Sequence, residues 1–89
     1  MFDGRHCTYR DYDLLVVETE KVLTSLYNKE KDKIDEFIKL ISRFDINIAK
    51  DLSREIKMAG DDYQKIAGII THYTDELKQN VLVDIREHQ

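Results

Sequence analysis

Residues 34–59 read IDEFIKLISRFDINIAKDLSREIKMA, then GDD at 60–62, then YQKIAGIITHYTDELKQNVLVDI at 63–85. This stretch decides the fold. In its first part the apolar residues Ile34, Phe37, Ile38, Ile41, Phe44, Ile48, Leu52 and Ile56 recur every three or four positions. In its second part Tyr63, Ile66, Ala67, Ile70, Tyr73, Leu77, Val81 and Ile85 do the same. That spacing places one apolar stripe along an α-helix and is incompatible with the period of two of a strand. The chain of 89 residues has no proline and three glycines, so the strongest helix breakers are nearly absent.

Ala59-Gly60-Asp61-Asp62 is the strongest punctuation. Gly60 suits a helix C-terminal cap, and Asp61 or Asp62 the next N-cap, with Asp61 and Gln64 at capping-box spacing. The two long helices it joins become antiparallel neighbours. Helix 2 is expected to run from about residue 30 to Met58, because its apolar phase is kept across Asp45. A competing reading breaks it there, with Asp45 capping a new helix at Ile46-Asn47-Ile48.

Upstream, Thr8 is the expected N-cap of a first helix ending near Tyr27, with Asp11 at the positive end of its dipole. Asn28 is the expected left-handed cap. The link Lys-Glu-Lys-Asp-Lys at 29–33 has no glycine or proline, which makes this the least specified turn of the chain. The stripe of helix 1 is Tyr9, Tyr12, Leu15, Val16, Val22, Leu23 and Leu26, with Thr19 on it; a threonine hydroxyl there can bond the carbonyl one turn back. Leu14 and Val17 widen the apolar surface, as expected of a helix between two neighbours. The expected fold is all-α: a three-helix antiparallel bundle with two long amphipathic helices, or four helices if Asp45 breaks the second. Residues 1–7 are read as a tail and 8–89 as a single bundle domain.

Composition excludes several functions. Hydrophobic residues are 42% and charged residues 36%, too apolar for a disordered chain. The longest apolar run, Leu14 to Val17, is far short of the ~20 residues that span a bilayer. Net charge is −4, and no segment is strongly basic, which argues against nucleic acid and anionic membranes as ligands. The lone Cys7 and the absence of a basic, apolar leader point to a reducing cytoplasmic setting.

Chemical motifs are missing. His6, Cys7, His72 and His88 show no chelating spacing, and a zinc site needs about four convergent ligands. There is no Glu-x-x-His motif, phosphate loop or Gly-x-Ser-x-Gly. No enzyme activity, cofactor or metal is expected. Glu76–Val81 (ELKQNV) resembles helix segments of crescent-shaped membrane-bending BAR proteins, and the layout resembles small secreted WXG-type partners. The chain is too short for the first and lacks tryptophan for the second, so neither family is assigned.

What remains is a non-enzymatic module that binds a protein partner or a second copy of itself through helix faces. The candidate contact residues are Tyr9, Tyr12, Leu14 and Val17 of helix 1, with Tyr73 and Asn80 of the last helix. Tyrosine is enriched at interfaces, and a polar residue beside a core stripe can specify register or oligomer state. The alternative is an acidic inhibitor or immunity-type protein that blocks a basic site, using residues 61–89, where acidic residues outnumber basic ones.

Overall fold

The computed structural model describes residues 7–87, and they form four helices. These are α1 (Tyr9–Tyr27), α2 (Ile34–Phe44), α3 (Ile46–Ala59) and α4 (Tyr63–Glu87). No strand occurs among the described residues, and none of the helices is long and apolar enough to cross a membrane. The expected all-α class holds; the expected three helices are four.

The continuous second helix is corrected by one carboxylate. Asp45 is extended (φ −154°, ψ 109°), and its Oδ1 accepts from the backbone N–H groups of Asn47 at 2.9 Å and Ile48 at 3.3 Å. Those amides have no carbonyl inside α3 to bond, so the side chain supplies one. The Asp45 N–H meanwhile donates to Ile41 O at 2.9 Å and ends α2. The kept apolar phase is real, since Phe44 and Ile48 are both buried. It follows from a common core, not from one unbroken rod.

One further cap assignment shifts by one residue, and at the α3–α4 turn the structure selects the second of two expected caps. Lys29, not Asn28, takes the left-handed conformation (φ 59°). Lys29 N–H donates to Leu26 O and Glu30 N–H to Ser25 O, the paired bonds of a Schellman end. At the other turn Gly60 has φ 62°, as expected of a glycine cap. There Asp62 caps α4 by accepting from Lys65 N–H at 3.1 Å. Asp61 is left to bind Lys31, so the expected pairing with Gln64 does not form. At α1 the expected Thr8 cap is present, with Thr8 and Asp11 exchanging backbone-to-side-chain bonds.

α4 is the spine. α1 and α3 pack along it, α2 folds onto α3, and α1 meets α2 only lightly. Both ends of the α1–α4 pair are tied. Cys7 N–H donates to Asp84 Oδ2 at 2.6 Å, and at the opposite end Lys31 Nζ donates to Gly60 O at 2.8 Å and Asp61 Oδ1 at 2.6 Å. These ties show the two helices to be antiparallel. Cys7, assigned to the tail by sequence, is buried; the other tail residues lie outside the described ones, as does His88.

The core is one cluster, with Leu15, Leu52, Ile66, Ile70, Leu77 and Val81 fully buried. Burying each such side chain contributes about 1.5–3 kcal/mol. Thr19 bonds Leu15 O at 2.6 Å, as its place on the stripe leads one to expect. Thr74, which the apolar pattern does not mark, is 1% exposed on α4, and its hydroxyl has no hydrogen-bond partner among the described residues.

A buried hydroxyl without a partner is destabilising, and a methyl of the same shape is not. Thr74→Val is therefore expected to raise the unfolding free energy by about 1 kcal/mol. Asp45→Ala is expected to lower it by about 1 kcal/mol through loss of the α3 cap. Urea denaturation followed by circular dichroism reads both changes, and a destabilised Thr74→Val chain would refute the first.

Candidate functional site

α1 carries four of the six candidate residues, and its wheel separates them. The buried stripe is Leu15, Thr19, Val22 and Leu26, with Ser25 also buried to one side of it, on the flank of Leu14 three turns further on. At 100° per residue Val17 lies about 170° from the centre of that stripe and Leu14 about 110° away. They are 46% and 39% exposed. The expectation that both would pack against a second neighbour is thus corrected: α1 rests on α4 and only touches α2, leaving this side uncovered. Tyr9 is also exposed, but on the opposite flank of α1 from Leu14. Tyr12 sits closer to the stripe and packs half-buried on the core.

The remaining two candidates belong to α4. Tyr73 is half-buried and packs against the core. Asn80, two turns later on the same flank, is half-buried as well and is not a core residue. The core polar group of α4 is Thr74. The six positions therefore occupy three separate surfaces, Tyr9 with Tyr12, Leu14 with Val17, and Tyr73 with Asn80, and of these pairs only Leu14 and Val17 are both well exposed apolar side chains one helical turn apart.

Around Val17 an open groove runs down the outer side of α1 to the α1–α2 link, lined by Val17, Lys21, Thr24, Asn28, Glu30 and Lys33. Its charges are mixed. Lys21 is paired with Glu18 at 3.2 Å. The acidic α4 segment is not a cluster of unpaired carboxylates: Asp84 binds the Cys7 N–H, and Asp75 lies 3.8 Å from Lys78. No group of three or more metal-ligating side chains occurs among the described residues. His72 is exposed, as its position off the stripe implies, with its ring edge-on to Tyr73 at 5.3 Å.

Two titrating groups report packing between elements. Hydrogen bonding to the Glu55 carboxylate of α3, then burial, then the charges of Glu55 and Asp51 push the Tyr73 hydroxyl up to about 12. At the turn before α4, the Lys31 ammonium bonded to Asp61 holds that carboxyl below its ordinary value. Lys31 also lies 5.6 Å from the centre of the Tyr63 ring. Sequence patterning could not show this contact, because the residues it joins are about 30 positions apart.

Comparison of the chain with protein-family models, with curated proteins and with solved structures finds no match.

A raised Tyr73 value means that the folded state favours the neutral phenol. Its contribution to stability is complete below the ordinary value of 10.0 and is lost as pH rises towards about 12. Ultraviolet titration of tyrosinate should show a late component near 12 that Tyr73→Phe removes and Glu55→Gln moves down. A titration unchanged by either substitution would break the Tyr73–Glu55 assignment. Asp61 has the opposite sign: its contribution is present above the ordinary carboxylate value and fades as pH falls below it.

Proposed function

We propose that this chain is a non-enzymatic, cytoplasmic interaction module whose partner is another protein, contacted by the outer face of α1. One observation carries the reading. Leu14 and Val17 stand one turn apart on the side of α1 away from its buried stripe, each well exposed. A single exposed aliphatic is ordinary on any protein, whereas adjacent apolar side chains on a helix make a ridge that another helix or a groove can accept. Valine is also a poorer helix former than the charged residues around it, so helix propensity does not explain its place there. Arg10 and Lys21 flank the ridge along the helix, and Asp13, Glu18 and Glu20 lie beside it. A polar rim around a small apolar centre is the usual anatomy of an interface that forms and dissociates.

The acidic-inhibitor reading draws less support, because carboxylates of α4 are already engaged within the chain. Tyr9 extends the interaction reading only if the partner reaches around α1 to its other flank.

The test is a Leu14→Ser, Val17→Ser double variant. Both positions are exposed, so thermal unfolding should stay within about 0.5 kcal/mol of wild type per site. Affinity capture from a lysate of the source cells, followed by binding of the purified partner, should show at least a roughly tenfold weaker complex, as for loss of a small apolar contact centre. A partner bound with equal strength by the double variant would place the contact elsewhere.

A further inference from the structure

The three turns of this bundle are specified very unequally. The α2–α3 break is held by the Asp45 carboxylate, and the α3–α4 break by Gly60 at positive φ and the Asp62 cap. The α1–α2 break has none of these devices. Lys29 occupies the left-handed region at φ 59°, the only described non-glycine residue to do so, where an L side chain is strained. Lys33, at the N-cap of α2, is in helical conformation and makes no side-chain cap bond. Residues 29–33 are all lysine, glutamate or aspartate, and lysine and glutamate are good helix formers.

The helix phase permits fusion without arguing for it, since two helices that share a core keep phase in any case. At 100° per residue the buried stripe of α2 (Ile34, Phe37, Ile41, Phe44) lies within about 50° of that of α1 if the backbone runs on as helix. From these observations we propose that α1 and α2 can fuse into one helix over residues 9–44, and that α1 then docks on α4 of a second copy of this chain.

The exchange replaces like with like. α1 packs mainly on α4, and that packing re-forms in trans, with Cys7 N–H meeting Asp84 of the second copy. Little is given up outright: the light α1–α2 packing and the exposed bonds of Lys31 to Gly60 and Asp61. Exposed ion pairs of that kind contribute little. In return Lys29 leaves the left-handed region, and the start of α2, which lacks a side-chain cap, becomes the interior of a longer helix. Where the two fused helices cross, near residues 31–32, a two-fold arrangement sets Glu30 of one chain against Lys33 of the other. A short strained link with a ready alternative is the recognised origin of swapped dimers.

This exchange is independent of the Leu14–Val17 face, and the test separates them. Lys29→Gly fits the closed turn and opposes helix. Asn28→Ala with Lys29→Ala favours helix and opposes the left-handed cap. Each protein is concentrated, warmed to the foot of its unfolding transition, cooled, and weighed by light scattering after size exclusion. Two hinges per dimer double the effect. The alanine variant should dimerise on the order of 1000-fold more tightly than the glycine variant, with wild type between them. The Leu14→Ser, Val17→Ser chain should dimerise like wild type. Equal dimerisation of the alanine and glycine variants overturns the proposal. So does a dimer abolished by the serine substitutions, or an alanine variant that stays monomeric at millimolar concentration. Circular dichroism confirms that each variant is folded before its mass is compared.

Discussion

Everything in this bundle depends on the buried stripe of α4. Ile66, Ile70, Leu77 and Val81 are fully buried along one side of a 25-residue helix, and both α1 and α3 pack against it. α2 reaches the core chiefly through α3. A chain of this length buries only ~60–65% of its unfolded surface, so the core of each element counts heavily. The orphan hydroxyl of Thr74 therefore sits at the costliest place available, in the middle of the stripe that everything else leans on. The seam tolerates it because the surrounding aliphatic packing is large compared with one unmade hydrogen bond.

The ends of the α1–α4 seam are fixed by polar contacts, not by packing. Cys7 is drawn into the core with its backbone N–H on the Asp84 carboxylate, while Lys31 bridges to the turn before α4. A carboxylate on a backbone amide and an ammonium on a carbonyl are charge-assisted bonds with definite geometry. They set the register of two antiparallel helices whose apolar stripes alone would allow sliding by a turn.

Much of this is legible in the sequence, and the failures have definite causes. The period of three and four identifies the helices, and the buried set of α2, α3 and α4 is nearly the set of stripe residues. Thr8, Gly60 and the possible break at Asp45 are each visible as local chemistry. Asp45 misleads because phase continuity looks like evidence for one rod. Two helices that share a core must keep phase as well, so only the cap chemistry discriminates. Asn28 looks the better left-handed residue because asparagine tolerates that region, yet the Schellman geometry places the strained residue one position beyond the cap, at Lys29. Thr74 is hidden in the pattern because Tyr73, its apolar neighbour, occupies the same turn. For the candidate contacts, the sequence marks Leu14 and Val17 as surplus, but it cannot say whether a second neighbour covers them.

That surplus and the weakest turn fall on the same element. α1 has an uncovered apolar ridge, light contact with α2, and a C-terminal link with no glycine, proline or side-chain cap. α3 and α4 are joined by a glycine turn and a capped helix start. An α4 spine that carries α3 on one side and, on another, a helix whose outer side is apolar divides scaffold from contact surface within one small chain.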